Sequence, residues 1–420
     1  MEYVDDSSIT NAIVNIKVVG VGGGGNNVLL RIAEDRMPGI ELLGINSDMK
    51  QLSRLQAAGI PTLPIGGAIT RGRGAGGVMD VGMQAAVADQ MAIAKSMRDA
   101  DLVFITAGLG SGIGTGAAPV VAQIAHSMGI LTVGVVTAPF SFEGQRKMRT
   151  ANEGIARLKT SLDGLIVVHN DNLMKIEGNR RMTFVDSFRA ADNVLRQAIL
   201  GISELILTTG VVNVDFADVT SIFRQSESSD AIIGIGANDN GNAVEAVKAA
   251  VESPLIERSL DGARGILINI TGGETLSLYA VSEASEFIYD HTHPNVNIIF
   301  GTVIDKRLGE KVRATIVATD FADSVLVREK QEASPNAIGR APEPRVTEKP
   351  AAGGATENGT PAMSNAQLAS VLSGAETVEP EQDDDDDDSV DIPDFMSKEN
   401  SPNARNGAPF PWKFPRWNDK

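Results

Sequence analysis

Two glycine-rich segments, each directly after a short apolar run of β type, constrain this chain more than anything else in it. Gly20-Val21-Gly22-Gly23-Gly24-Gly25-Asn26-Asn27 follows Ile16-Lys17-Val18-Val19, and Gly108-Leu109-Gly110-Ser111-Gly112-Ile113-Gly114-Thr115-Gly116 follows Leu102-Val103-Phe104-Ile105. Glycine lets successive backbone N–H groups turn to one side and approach an anion closely. A helix that opens there adds the positive end of its dipole. One such loop is common. A pair suggests a polyphosphate held from two sides, and the plainer alternative, a tight connection, has to hold twice.

The surrounding pattern supplies a frame for these loops. Strands are expected at Asn15–Val21, Ile40–Asn46, Leu102–Thr106, Leu131–Thr137 and Gly164–Val168, separated by helical stretches that include Asn26–Glu34, Asp80–Met97 and Gly116–Met128. Strands alternating with helices predict a parallel sheet wrapped on both faces, with the loops at the strand C-termini forming the binding edge. Apolar residues at i, i+3, i+4 spacing from Phe184 to Ile206 predict one long helix, about Met182–Leu207, as a central strut. Strands at Asp230–Ala237, Ala263–Thr271, Val296–Asp305 and Val312–Thr319, with helices at Ala243–Glu252 and Glu274–Tyr289, then predict a second, smaller α/β domain. From about Val325 to Gln382 the chain is rich in Pro, Ala, Glu, Ser and Gly and cannot bury enough surface to offset ordering entropy. Asp383 to Asp388, six aspartates in a row, read as a self-repelling spacer. The expected division is an N-terminal extension (1–14), a nucleotide-binding domain (15–182), a central helix (183–209), a C-terminal α/β domain (210–322), a disordered acidic linker (323–390) and a tail (391–420).

Composition removes several classes of function. At 42% hydrophobic and 22% charged the body reads as soluble and globular, and no apolar run reaches the roughly 18 residues that span a bilayer. A net charge of −17 argues against a nucleic-acid face. The absence of cysteine excludes disulfides and thiolate metal sites and fits a cytoplasmic protein. Met1 to Thr10 is acidic and polar, unlike a secretory signal. His291-Thr292-His293, just before Pro294, reads as a loop in preference to a metal pair.

The loops leave more than one nucleotide open. Gly20-x-Gly22-x-x-Gly25 after a strand fits the dinucleotide fingerprint, and the next strand ends in Asn46-Ser47-Asp48, where a ribose-binding acid belongs. A Rossmann-type NAD-dependent enzyme is therefore one reading, although a dinucleotide fold needs only one such turn. A Walker A loop is absent, because no Gly-Lys-Ser/Thr follows a spaced glycine.

Gly108 to Pro119 resembles the tubulin signature loop in its bacterial form, and Asn213-Val214-Asp215-Phe216-Ala217-Asp218-Val219 resembles that family's synergy loop. On these motifs the chain is similar to the FtsZ family of bacterial tubulin-like cell-division GTPases, from about Asn15 to Thr319 and again in a short tail motif. The resemblance implies a tubulin-like α/β fold that binds GTP or GDP, with Mg²⁺ held through phosphates and water and not by direct protein ligands. Gly23, Gly24, Gly25, Asn26 and Asn27 would line the α/β-phosphates, and Gly110, Ser111, Gly112, Ile113, Gly114, Thr115 and Gly116 the β/γ side, with Asp48 nearby. Pro139 to Gly144 matches the ribose loop, with Glu143 on the sugar and Lys147 beside it. Phe188 to Asn193 matches the base site: Asp192 would accept from guanine N1–H and the 2-amino group, a donor pair adenine lacks, and Phe188 would stack. Without the resemblance Asp192 reads as plain helix surface, and Asp215 with Asp218 as an N-cap pair.

The resemblance further implies a head-to-tail homopolymer in which Asp215 and Asp218 of one subunit, with Asn213, orient the water at the next subunit's γ-phosphate. It places the protein in the cytoplasm at the division site beneath the inner membrane, with no nucleic-acid partner. Asp391 to Met396 resembles the family's recognition peptide for membrane tethers and regulators. Pro409 to Trp417, which interleaves Pro, Phe and Trp with Lys413 and Arg416, fits either a lipid headgroup region or a Pro-rich peptide ligand.

The chain departs from the family pattern at the site itself. Ser111 and Ile113 stand for Gly and Thr, Gly72 to Asp80 lacks Asn-Pro-Glu, and Lys147 replaces an arginine whose fork lysine cannot copy. Arg224 to Asp230 replaces a shorter glycine-containing segment. The expectation is retained binding and assembly with slowed hydrolysis or altered exchange, which includes a GTP-binding paralog with little hydrolysis.

Overall fold

The structure is a computed structural model that describes residues 14–321, apart from 36, 177–181, 209–211, 213, 227 and 257–258. Along the chain run β1 (Ile16–Val21), α1 (Gly22–Asp35), β2 (Ile40–Asn46), α2 (Met49–Ala57), β3 (Thr62–Pro64), α3 (Gly67–Thr70), α4 (Met79–Ala88), α5 (Gln90–Ser96), β4 (Leu102–Gly108), α6 (Gly112–Ser127), β5 (Leu131–Ala138), α7 (Gln145–Lys159), β6 (Gly164–His169) and α8 (Asn170–Leu173). There follow α9 (Phe184–Leu207), α10 (Phe216–Arg224), β7 (Asp230–Asn238), α11 (Ala243–Val251), β8 (Ala263–Gly272), α12 (Leu278–Asp290), β9 (Asn297–Ile304) and β10 (Val312–Phe321).

All ten strands form one sheet in the order β3-β2-β1-β4-β5-β6-β7-β10-β8-β9. The first six pair in parallel, as β-branched strands buried on both faces do. The chain leaves β1 for β2 and β3 on one side and returns to β4 on the other, so the topological switch point lies between β1 and β4. Ligands of open parallel sheets bind at that point, beyond the strand C-termini, and both glycine loops are found there.

The two α/β halves expected from the sequence are joined more closely than two separate sheets. β6 pairs with β7 through Leu165↔Asp230 and Ile166↔Ala231, and β10 then runs antiparallel between β7 and β8. One apolar core spans the junction: Phe104 and Val133 from the first half share it with Ile233, Leu267 and Val317 from the second, around Val194, Leu195, Ile199, Ile202 and Leu205 of α9. A second core lies under α4, α5 and α6, and a third under α11 and α12.

The central helix begins at Phe184, two residues later than expected, because the Thr183 hydroxyl accepts the Asp186 N–H at 3.2 Å and caps it. Its 24 residues give a rod of about 36 Å. The stretch expected as one helix, Asp80–Met97, is two, since Asp89 turns its carboxylate to the Gly66 N–H at 2.6 Å and breaks the run between α4 and α5. The largest difference concerns the loops: α1 and α6 start at Gly22 and Gly112, four residues before the expected Asn26 and Gly116. Glycine is a poor helix former, costing about 1 kcal/mol against alanine. Here backbone-to-backbone packing overrides propensity, so the loop glycines are themselves the first helical turns. His291 caps α12 with Nδ1 2.7 Å from the Phe287 carbonyl, and His293 accepts from the Asn295 N–H, as a loop reading requires.

Candidate functional site

The site is built first from backbone. The N–H groups of Gly22, Gly23 and Gly24, and of Gly112, Ile113 and Gly114, sit in opening helical turns where no intrahelical carbonyl reaches them, and none has another acceptor among the described residues. A Cβ on Gly24 would lie 2.9 Å from the Gly108 nitrogen and one on Gly25 would overlap the Thr106 carbonyl, so α1 starts against the end of β4, while one on Gly22 would lie 2.7 Å from the Gly114 nitrogen, so α1 and α6 start side by side. Two positive dipole ends and six unpaired donors converge at the switch point, which suits an anion carrying several charges.

Most side chains of the loops serve the loops. Asn26 is 1% exposed, and its neighbours assign its amide nitrogen to the carbonyls of Gly20 at 2.8 Å and Gly22 at 3.2 Å and its oxygen to Asn46 Nδ2 at 3.0 Å. Asn27 is half-buried one position on. Thr115 is fully buried and accepts the Gly110 N–H at 2.9 Å, which closes the second loop. The Ser111 hydroxyl donates back to the Gly108 carbonyl at 3.2 Å. Ile113 belongs to the second core and is 6% exposed. Gly116 lies one turn into α6, where its missing Cβ faces the Met79 carbonyl of α4, so it permits helix packing and does not line the loop. Asp48 caps α2 by accepting the Lys50 N–H at 2.9 Å, and its backbone bridges to Arg73 in the glycine-rich stretch above the second loop.

Between the C-terminus of β5 and the start of α9, four rings pack together. Phe140 stacks on Phe142 at 5.0 Å, Phe140 meets Phe188 edge-on at 5.4 Å, and Phe184 meets Phe188 at 5.1 Å and Phe142 at 5.5 Å. Phe142 and Phe184 remain more than half exposed. Glu143 accepts the Phe140 N–H at 3.0 Å and the Lys147 ammonium at 2.8 Å, so these two expected nucleotide contacts hold each other. Asp171, which the sequence reading missed, accepts the Ser141 N–H at 3.1 Å and fixes the start of the same turn; its position directly after β6, at the binding edge, was the available signal.

Asp192 projects from α9 toward α1. Burial pushes its carboxyl up to about 6, and Arg31 partly opposes the rise. Arg31 Nε lies 3.8 Å away and is a buried donor with no hydrogen-bond acceptor among the described residues. A desolvated carboxylate beside an unspent donor is an incomplete polar site. Nothing local marks Arg31, because the contact depends on how α1 and α9 align.

That alignment also places the acid pair. Arg31 meets Asp192 and Asp35 pairs with Arg196, so α1 and α9 run in the same direction, away from the loops. Val214 packs beside Leu205 against Gly301, near the end of α9. Nine residues of α1 before Arg31 and thirteen of α9 after Asp192, at about 1.5 Å each, separate Gly22 from the level of Leu205 by about 30 Å. Asp215 follows Val214 directly, caps α10 by accepting the Ala217 N–H at 3.4 Å, and is exposed, as is Asp218. The structure therefore keeps these carboxylates apart from the loops of the same chain. Asn213, Asp391 to Met396 and Pro409 to Trp417 lie outside the described residues.

Comparison with known proteins assigns the fold to a family. Residues 15–178 match the family model for the Tubulin/FtsZ family GTPase domain, and residues 229–322 that for the FtsZ family C-terminal domain. Among solved structures, an empty FtsZ dimer from M. jannaschii is 41% identical, has a TM-score of 0.70 and covers 74% of this chain and 90% of that one. A mutant of the same relative, also 41% identical with a TM-score of 0.70, covers 75% and 93%. A GDP-bound CetZ1 monomer from Haloferax volcanii shares the fold at 20% identity, with a TM-score of 0.64 and coverage of 76% and 98%. The dinucleotide reading of the first loop gives way to these matches.

Proposed function

Because this chain belongs to the Tubulin/FtsZ family, whose members are GTPases, we propose that it polymerises head to tail and hydrolyses GTP at a site completed by the next subunit, scaffolding the bacterial division ring. The observation that carries this reading is the separation of about 30 Å between the phosphate loops and Asp215 along α1 and α9. A cradle for phosphate at one end and an exposed acid pair at the other make half a site each. Head-to-tail contact joins the halves and leaves the assembly open, so it propagates. The M. jannaschii relative is described as a dimer, in keeping with self-association.

In this reading the unpaired N–H groups of the two loops bind the phosphates, and Asp192 accepts from guanine N1–H and N2–H. Asp215 and Asp218 from the neighbour orient the water. Its oxygen bonds to the γ-phosphorus, the bond to the β–γ bridging oxygen breaks, GDP leaves with the electron pair, and the water's proton passes to an oxygen of the released phosphate. Mg²⁺ would be held through the phosphates and water and would supply charge neutralisation when bound. The Glu143–Lys147 pair favours a slow variant of the same reaction, since both groups are already satisfied without nucleotide.

No described helix is long and apolar enough to cross a membrane. We place the protein in the cytoplasm beneath the inner membrane, tethered through Asp391 to Met396, with Pro409 to Trp417 as a second tail segment for a lipid headgroup region or for a partner that takes Pro-rich peptides. Light scattering after addition of GTP and Mg²⁺, recorded together with phosphate release, tests the central claim. Assembly should appear, and turnover per subunit should rise with protein concentration. Turnover that is independent of concentration would remove the subunit-completed site.

A further inference from the structure

The segment after α10, where the chain departs from the family pattern, is tied to the first half of the sheet at several points. Arg224, in the last turn of α10, donates from Nε to Asp163 Oδ1 at 3.3 Å and from Nη2 to the Gly129 carbonyl at 3.1 Å. Asp163 is a fixed acceptor: its side chain is 6% exposed, and its other oxygen takes the Thr132 N–H at 2.8 Å and faces His126 Nδ1 at 3.5 Å. Gly129 follows the C-terminus of α6 directly, where carbonyls are unpaired and a cation is favoured. Next to this contact Phe223, 1% exposed, lies over Gly164, and Gln225 Oε1 accepts from Asn297 at the start of β9. Ser229 then receives the Leu165 N–H on its carbonyl and donates its hydroxyl to the Lys159 carbonyl at 2.9 Å.

These contacts give α10 two ends of different character. Its N-terminus carries Asp215 and Asp218 into solvent. Its C-terminus is held by Arg224 against the end of α6, the helix whose first turn is the second glycine loop. An isolated surface ion pair would contribute little, but this guanidinium bridges two acceptors that belong to a rigid sheet edge and a helix terminus.

We propose that Arg224 is a positioning residue for GTP hydrolysis: by fixing the C-terminus of α10 on Asp163 and Gly129, it sets the direction in which Asp215 and Asp218 are presented to the neighbouring subunit. The inference rests on the reading that this acid pair completes the neighbour's site. Arg224 itself touches no nucleotide. It acts through the orientation of a helix nine residues long, in which a small tilt at one end displaces the carboxylates at the other.

Arg224→Gln and Arg224→Lys in the full chain test this, with turnover expressed per assembled subunit and GTP affinity measured below the assembly concentration. Arg224→Gln should leave affinity, KM and polymer mass near the parent values and lower kcat about 10- to 100-fold, the usual effect of a misplacement near 1 Å. Arg224→Lys keeps the ion pair with Asp163 and should recover part of the loss. A mixture of Arg224→Gln with Asp215→Asn subunits should remain slow, because both are defective on the same face. Recovery in that mixture would show that Arg224 acts on its own phosphate loop and would overturn the proposal. So would a kcat for Arg224→Gln within twofold of the parent, or a loss confined to polymer mass. Normal turnover by Asp215→Asn alone would instead remove the subunit-completed site, which keeps the two failures distinct.

Discussion

A Cβ added to Gly22 would lie 2.7 Å from the backbone nitrogen of Gly114, so the two glycine loops meet main chain to main chain. This contact explains why both segments need glycine, and it divides the glycines by role. Gly22 also has a φ of +73°, which side chains rarely adopt. Gly23, in contrast, would place a Cβ in open space, with nothing within 4 Å.

Gly23→Ala should therefore fold normally and weaken GTP binding, because the ligand is the only thing left to exclude the methyl. Gly116→Ala, whose Cβ would overlap the Met79 carbonyl, should lower stability by about 1–3 kcal/mol through α4–α6 overpacking. Thermal unfolding and fluorescent-nucleotide titration of the two variants separate these effects. An unfolding temperature lowered equally in both would contradict the assignment.

The difference between these glycines was not readable from the chain. The strands, to within two residues at their ends, and the two glycine-rich strand-to-helix junctions follow from β-branched runs and glycine spacing. What a glycine faces depends on which helix lands on it, as Met79 of α4 lands on Gly116. The same limit hid the break at Asp89, whose partner Gly66 is 23 residues away, and the pairing of Arg31 with Asp192, which exists only because α1 and α9 run in the same direction. The pairing of β6 with β7, just two residue pairs long, likewise leaves no mark in either strand's sequence.

Asp192 should make GTP binding depend on pH. Its carboxyl is raised by burial to about 6 from an ordinary 3.8, so the folded chain favours the protonated form. The associated stability is fully present below about 3.8 and is lost as pH rises through 6. Guanine runs the other way, because only the ionised carboxylate accepts two N–H donors. Affinity for GTP should fall as pH is lowered through 6 and level off above it, and Asp192→Asn should flatten that profile and weaken discrimination against ATP. Dissociation constants from pH 5 to 8 measure both. An unchanged slope in Asp192→Asn would rule out this carboxylate as the source.

Ile113 stands where the family pattern has a threonine, and the structure shows its side chain in the second core, 6% exposed, while the Thr115 hydroxyl is spent on Gly110. Ile113→Thr buries a hydroxyl and removes a methyl from a packed region, at about 1–2 kcal/mol. The midpoint of thermal unfolding should drop by about 2–4 °C, and turnover should stay within twofold of the parent. A clear gain in turnover would return this position to the phosphate and away from the core.

The acid pair gives the sharpest expectation. Asp215 is exposed, and among the described residues its carboxylate accepts one long hydrogen bond, from Ala217 at 3.4 Å, so its loss removes little more than an N-cap, about 1 kcal/mol. Asp215→Ala should bind GTP with parental affinity and still assemble, yet release phosphate at a few per cent of the parental rate or less. When it is mixed into parental protein at constant total concentration, polymer mass should hold while turnover falls in proportion to the variant fraction, since each variant subunit silences one neighbour. The pairing also has a direction. A subunit whose phosphate loops bind GTP weakly, such as Gly23→Ala, still offers a sound acid pair and should leave the neighbour that receives it active. A mixture in which turnover is indifferent to the fraction of Asp215→Ala would place the attacking water's partner elsewhere in the chain.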